Sequence, residues 1–267
     1  MATTVATIDV REVTPEEVDT FWEKGWVKLP GLIGREVAAD LLSHAKAILG
    51  EEGDEKELNE RHRDFAGFRD YYRISEVDDL FRSFRHAPQN GKNAALLFGR
   101  DMQVRSVTDL LAVKMPAAKQ GKVGRGADPT EWHQDHGAVP VRGNSLAFWL
   151  ALDEVTPENG SMQFYEGSHK LGQMAWDPTG WPRVQACPMS APLTLAPGDA
   201  TAHLSLTVHG APANLTDKPR WGYICNFFPG MAPYSGAPNH NLGDAVIEQG
   251  QPLDHPAFPV VYEPVAP

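Results

Sequence analysis

Pro197-Gly198-Asp199, followed by Ala200-Thr201-Ala202-His203-Leu204-Ser205-Leu206-Thr207-Val208-His209, is the stretch whose reading decides the fold. The Pro-Gly-Asp step is a turn signal. After it, Thr201, His203, Ser205, Thr207 and His209 share one parity, and Ala202, Leu204, Leu206 and Val208 share the other. Alternation at period two is the mark of a strand with one apolar face, its polar face turned to solvent or to a polar cavity. A strand is therefore expected over 200–208. The same texture extends outward from about residue 101, in short runs rich in β-branched and aromatic residues. Further strands are expected at 104–115, 145–152, 162–166, 191–195 and 220–228, with turns at Pro157-Glu158-Asn159-Gly160 and Gly167-Ser168. Many short strands separated by Gly and Pro turns predict a sandwich or a barrel.

The first hundred residues read differently. Residues 1–13 look like a loose tail. Thr14-Pro15-Glu16-Glu17 carries a helix start, with Thr14 as cap, Pro15 in the first turn and Glu17 closing a capping box. A second helix is expected from Arg35, where Val37, Leu41, Leu42, Ala45, Ile48 and Leu49 repeat at helical spacing ahead of Gly50. Residues 51–64 are charged and read as solvated, and 93–98 as a short helix. The organisation expected is one domain over 1–267: a mostly helical part (1–100), a β core (101–232) and an irregular C-terminal wrap (233–267).

Composition removes several function classes. The 24 Lys and Arg against 35 Asp and Glu leave a net charge of −11, which argues against a general binder of nucleic acid or of an anionic membrane. The apolar run Leu146 to Leu152 is far too short to span a bilayer. The first twenty residues lack a basic start followed by an apolar run, so no secretory signal is expected. Two cysteines, Cys187 and Cys225, suit a reducing compartment. The expectation is a cytoplasmic protein acting on a small molecule.

His133-Gln134-Asp135 places an imidazole and a carboxylate two residues apart. In extended backbone, i and i+2 point to the same side, so both side chains reach one ion. Two histidines and a carboxylate on one face of iron leave positions open for substrate and dioxygen. The triplet alone weighs little, since His62-Arg63-Asp64 repeats it inside a charged stretch that reads as surface. Context separates the copies: His133 follows a turn-like Pro129-Thr130 and runs on into strand-rich sequence. Arg220, eleven residues beyond His209, opens a strand and suits a bidentate grip on a carboxylate.

These pieces together resemble the phytanoyl-CoA dioxygenase family of iron(II)/2-oxoglutarate oxygenases. The resemblance rests on Val113-Lys114-Met115-Pro116, Trp132-His133-Gln134-Asp135, Phe148-Trp149-Leu150-Ala151-Leu152-Asp153, Glu158-Asn159-Gly160-Ser161-Met162, Gly167-Ser168-His169-Lys170, Pro197-Gly198-Asp199, and His209-Gly210-Ala211-Pro212-Ala213-Asn214 followed by Arg220. With the N-terminal helix and Gly25-Trp26-Val27 it runs from about residue 14 to 228. It implies a mainly β fold, a double-stranded β-helix (jelly roll, cupin-like) with flanking helices. It implies His133, Asp135 and His209 as iron ligands and Arg220 as partner of the distal carboxylate of 2-oxoglutarate. It places Lys114, Leu110 and Thr108 on the co-substrate side, and Trp149 beside co-substrate or substrate. Relatives often carry a hydroxyl two residues after the distal histidine; here Ala211 stands, so that hydrogen bond is missing or supplied elsewhere. Relatives that halogenate have a small residue at the position of Asp135, so halogenation is not expected.

Blander readings compete. Trp149 suits a core strand, Lys114 a solvated edge and Arg220 a surface charge. His203 shares the parity of His209 and reads as a pocket residue or one supporting the ligands. His136 and His169 read as structural. Phe65, Phe68, Tyr71 and Tyr72 either line a pocket or pack within a helix. Trp176 and Trp181, in a Pro/Gly-rich loop, are candidate substrate lids, and Lys119, Lys122 and Arg125 mark a mobile surface loop. Gly143-Asn144-Ser145-Leu146-Ala147 nearly matches a nucleophile elbow, but a strand follows where a helix is required. The function implied is hydroxylation of an unactivated C–H on a compact natural-product scaffold, using O2 and releasing succinate and CO2. Alternatives are the same chemistry on an acyl thioester or amino-acid derivative, a desaturating, epimerising or ring-forming outcome, or a cupin-like metal-binding module that is not an oxygenase.

Overall fold

The computed structural model describes residues 8–53, 62–65, 68–119, 124–174 and 182–264. Helix α1 spans Pro15–Lys24 and starts where the sequence signals it. The Thr14 hydroxyl accepts from Glu17 N–H and the Glu17 carboxylate accepts from Thr14 N–H. A cap of this kind stabilises by about 1 kcal/mol. Gly25 ends the helix at φ 85°, a left-handed conformation that favours glycine. Strand β1 (Trp26–Leu29) follows, then α2 (Arg35–Leu49), which buries Ala38, Leu41, Ala45 and Leu49. The residues before α1 are not loose throughout. Ile8, Val10 and Val13 are buried, and Val10 bridges to Ile33. The apolar alternation of 8–13 satisfies a groove that a tail would leave open.

Between α2 and the β core, the chain forms strands β2 (His62–Phe65) and β3 (Phe68–Tyr72), then helices α3 (Asp79–Arg85) and α4 (Pro88–Leu97). The aromatic run of β3 therefore pairs as a strand and does not pack within a helix. The short helix expected at 93–98 is the second half of α4. The repeat triplet His62-Arg63-Asp64 lies on β2 at the sheet edge. Its side chains, the lid candidates Trp176 and Trp181, Lys122 and the side chain of Arg125 lie outside the described residues.

The β core comprises β4 (Val104–Lys114), β5 (Thr130–His133), β6 (Leu146–Ala151), β7 (Gln163–Phe164), β8 (Ala200–Leu204), β9 (His209–Ala211), β10 (Arg220–Pro229) and β11 (Val260–Tyr262). An eight-stranded sheet runs β1-β8-β6-β10-β4-β3-β2, with β11 also on β4, and faces a three-stranded sheet β5-β9-β7. Every strand pair is antiparallel. This is the double-stranded β-helix, mainly β with helices against one side. Two expected strands differ. Residues 191–195 form no strand, only the bridge Leu195–Val155, because Pro192 has no N–H to give a ladder. The run 200–208 breaks after Leu204, where Thr207 N–H donates to Leu204 O in a turn, so that His209 opens a strand of the other sheet. The C-terminal wrap is irregular apart from β11.

Parity then divides the large sheet. Leu111, Val113, Phe148, Leu150, Ala202, Leu204, Trp221, Tyr223 and Cys225 share one core with Phe21, Leu41, Phe81 and Phe84 of the helices. A polar knot ties this layer. Asp109 accepts from Arg85 (3.0 Å), Ser75 Oγ (2.7 Å), Ser75 N–H (2.9 Å) and Tyr223 OH (2.9 Å), all buried. Residues of the opposite parity face the small sheet.

Candidate active site

The chain reaches the centre through two short strands of the small sheet. His133 and His209 stand opposite each other in the β5–β9 register, with ring centroids 4.3 Å apart. Gln134 is extended (φ −114°, ψ 138°), so His133 and Asp135 emerge on the same side as the spacing requires. Gln134 is itself pinned: its amide donates to Leu206 O (2.6 Å) and Gly172 O (3.0 Å) and accepts from Met174 N–H (2.8 Å). His133 Nδ1 contacts Glu131 O at 2.7 Å and His209 Nδ1 contacts Thr207 O at 3.0 Å. Those contacts hold both rings by Nδ1 and turn each Nε2 toward Asp135. One donor atom from each of His133, Asp135 and His209 lies within 4.8 Å of the others.

The turn that aims His209 is braced by α1. Thr207 Oγ donates to Gly25 O at 2.7 Å, and a Cβ on Gly25 would stand 2.5 Å from that oxygen and 2.3 Å from His169 Nδ1. His169 contacts Trp22 O at 3.2 Å, a structural role as expected.

Charge follows from this packing. Burial opposes ionisation of Asp135, but its electrostatic coupling to the His209 ring and hydrogen bonds with His133 and His203 hold it well below the usual carboxylate range. Burial, with His133 and His203 beside it, pushes His209 down to about 3. Burial also works to lower His133, yet the Asp135 hydrogen bond and charge outweigh it and the net shift is upward. An ionised carboxylate beside a neutral imidazole is the donor chemistry a divalent cation requires.

Arg220 is 3% exposed, which removes the surface reading. Its Nη1 donates to Gly160 O, its guanidinium lies 4.9 Å from the Trp149 ring centroid, and its Nε is buried without a partner. Among the described residues no carboxylate forms an ion pair with it. Burial lowers Arg220 to about 10, with the Asp153 charge pulling back. Trp149 is both core and support. It is 2% exposed, and a Cβ on Gly222 would meet its ring at 2.2 Å. Lys114, paired with Arg220 in the β4–β10 register, is fully buried rather than a solvated edge. Its Nζ donates to Thr130 Oγ (3.1 Å) and Asp128 O (3.3 Å). Burial, then the Arg220 charge, pushes Lys114 down to about 6, with Asp128 opposing. Gly160, at φ 85°, lets both side chains close in, since a Cβ there would sit 2.7 Å from Lys114 Cε.

Between the Arg220 end and the histidines, only four inward residues of β4 and β10 are accessible: Thr108, Leu110, Ile224 and Asn226. They pair as Asn226↔Thr108 and Ile224↔Leu110, a floor of two by two. Asn226 also pairs with Ala147, which pairs with His203, so the polar end of this floor lies level with the histidines. Thr108 Oγ is buried without a partner. The structure thus brings His133, Asp135 and His209 together, and groups Arg220, Lys114 and Trp149 at the far end. Asn226 and Thr130 were not singled out by the sequence, and Gly160 was read there only as part of a turn and a motif. Thr130, opposite Ala211 in the β5–β9 register, carries the hydroxyl that Ala211 lacks. Only the parity of Asn226 with Arg220 offered a signal.

A model of the phytanoyl-CoA dioxygenase family matches residues 21–222. The dioxygenase cdmD of Talaromyces verruculosus is 32% identical over 109 residues, 40% of this chain and 33% of that protein. The chain thus spans about a third of the length of that curated relative. The solved structure of the epimerase SnoN in complex with Fe3+, α-ketoglutarate and nogalamycin RO superposes with a TM-score of 0.76 at 24% identity, covering 92% of this chain and 97% of that one. The non-haem α-ketoglutarate-dependent carbocyclase SnoK from nogalamycin biosynthesis superposes with a TM-score of 0.73 at 23% identity, covering 96% and 99%.

Proposed function

The chain belongs to the phytanoyl-CoA dioxygenase family of iron(II)/2-oxoglutarate-dependent enzymes, and on that premise we propose that it oxidises a small organic molecule with His133, Asp135 and His209 as its iron ligands. The observation that carries this reading is the pairing of two features. Three donor atoms converge within 4.8 Å, and a buried guanidinium with an unpartnered Nε opens β10, the strand whose Asn226 lies level with the histidines. The donor set fits iron, since two imidazoles and one carboxylate leave positions open on the metal. Arg220 fits a carboxylate, because a buried charge without a counter-ion is costly until one binds.

When bound, iron and 2-oxoglutarate supply the oxidation of a C–H by dioxygen, with release of succinate and CO2. The chain does the rest. Arg220 grips the distal carboxylate of the co-substrate, and Trp149 holds the guanidinium flat. Lys114 adds a second cation there, kept in place by Thr130. Leu110 and Ile224 exclude water along the co-substrate's length, and Thr108 and Asn226 offer polar contacts level with the histidines. Asp135 fills the position where a halide would bind, which favours oxygenation.

Hydroxylation of a natural-product scaffold is the outcome we favour. The names of SnoN and SnoK support epimerisation and ring closure as outcomes of the same site. Both cysteines are free thiols, which suits a reducing cytoplasm. Among the described residues no helix is long and apolar enough to cross a membrane. The acidic balance disfavours nucleic acid as a partner.

Anaerobic addition of iron(II) and 2-oxoglutarate tests the proposal. A weak visible charge-transfer band is expected, lost in Asp135→Ala and weakened in Arg220→Ala at fixed co-substrate. Absence of a band in the unmodified protein overturns the reading and leaves a cupin-like binding module. A substrate panel scored by coupled succinate release then identifies the molecule oxidised.

A further inference from the structure

The two oxygens of Asp135 face different partners. Oδ1 lies 3.4 Å from His133 Nε2 and 3.9 Å from His209 Nε2. Oδ2 turns away from them and meets His203 Nε2 at 3.1 Å. His203 arrives from the other sheet, on β8, opposite Trp26 and Ala147. It is 2% exposed, and its ring packs 4.3 Å from the His209 ring and 5.6 Å from that of Phe164. The backing is rigid, because Phe164 stacks on Trp26 at 4.5 Å with an interplanar angle of 8°.

The tautomer of His203 follows from its surroundings. Nδ1 is buried and has no partner. A proton on Nδ1 would be a buried N–H without an acceptor, and would leave the Nε2 lone pair facing a carboxylate oxygen. A proton on Nε2 gives Asp135 a donor and leaves only a bare lone pair at Nδ1, the less costly arrangement. The ring therefore donates to Oδ2.

We propose that His203 is a positioning residue that makes Asp135 a one-oxygen ligand. Its hydrogen bond holds the carboxylate turned, so that Oδ1 alone faces the space between His133 and His209. A carboxylate free to rotate can offer both oxygens to a metal, and the second would fill a position that co-substrate or dioxygen needs. His203 is not one of the three residues whose donor atoms converge. It acts through Asp135. This inference rests on the reading of His133, Asp135 and His209 as metal ligands.

The test uses the full chain and metal alone, without turnover. His203→Leu, His203→Gln, His203→Asn and His133→Ala are titrated anaerobically with iron(II) against a chelator, and with cobalt(II), whose visible bands report coordination number. Folding is checked by circular dichroism and melting. His203→Leu is expected to bind about 10–100-fold more weakly, with a cobalt spectrum shifted toward higher coordination. His203→Gln, whose amide nitrogen can stand where Nε2 stands, recovers both affinity and spectrum. His203→Asn, too short to reach, behaves like the leucine variant and carries the comparison if leucine fails to fold. The positioning role is overturned if His203→Leu or His203→Asn matches the unmodified protein while His133→Ala loses the metal, or if glutamine recovers nothing. Undiminished metal binding by His133→Ala sinks the metal-site reading itself, and this inference with it.

Discussion

Adding 2-oxoglutarate to the iron-loaded protein above neutral pH is expected to draw a proton from solvent onto Lys114. Without co-substrate, burial and the Arg220 charge place this lysine at about 6. At pH 7.5 neutral amine then outnumbers ammonium by about thirtyfold. A dicarboxylate gripped by Arg220 brings negative charge beside both groups, and an opposite charge favours the ionised form. Return of Lys114 to the ordinary lysine range means uptake of close to one proton per co-substrate at pH 7.5. Because the liganded state holds the extra proton, rising pH opposes binding. Kd should weaken by about tenfold per pH unit above 6 until the liganded lysine itself titrates. Calorimetry in two buffers of different ionisation enthalpy measures the uptake directly, and Lys114→Met should abolish it and flatten the profile. Normal binding with no proton uptake at pH 7.5 would refute the argument. Without co-substrate the same lysine ties folding to pH. Its pKa is depressed relative to the unfolded chain, so the unfolded state binds more protons from about 6 upward, and stability rises with pH through that window.

Three further outcomes follow from the packing. Asp109→Ala strands the buried Arg85 guanidinium and should cost about 3–5 kcal/mol, roughly 6–20 °C in Tm; a melt within a degree of the parent would show the network to be dispensable. Gly222→Ala drives a methyl into Trp149, so KM for 2-oxoglutarate should rise while iron affinity holds; an unchanged KM would remove Trp149 from the support of Arg220. Cys225 is fully buried and its thiol is pushed well up by that burial, whereas Cys187 is half-buried. A thiol reagent followed by mass spectrometry should therefore add one label to the native protein and two in urea.

Much of this was legible in residues alone. Local signals with local causes survived: the capping box at Thr14, the helical stripe of α2, and the strands over Val104–Lys114, Leu146–Ala151 and Arg220–Pro229. The His-x-Asp geometry also survived, because an extended Gln134 is all it needs. Failures came where distant contacts overrode local pattern. Alternation over 200–208 promised one strand, but Ser205 N–H is claimed by Ser145 O and the chain turns. That turn puts His203 and His209 in different sheets, so shared parity gave the right neighbours for the wrong reason. The β2–β3 hairpin hid inside charged and aromatic residues whose pairing depends on β4. Thr130 and Asn226 were unreadable because their meaning lies in cross-strand register, which one sequence does not contain.

The bulge at Asn226/Phe227 leaves Val107 unpaired between β4 and β10 and has a consequence for how such a chain diversifies. On the near side of that irregularity, alternate residues answer to separate masters: Asp109, Tyr223 and Cys225 to the scaffold, Thr108, Leu110, Ile224 and Asn226 to whatever occupies the cavity. Those four positions form a panel that selection or a combinatorial library can rewrite at small thermodynamic risk. The grip on the co-substrate becomes adjustable without rebuilding the packed layer behind it.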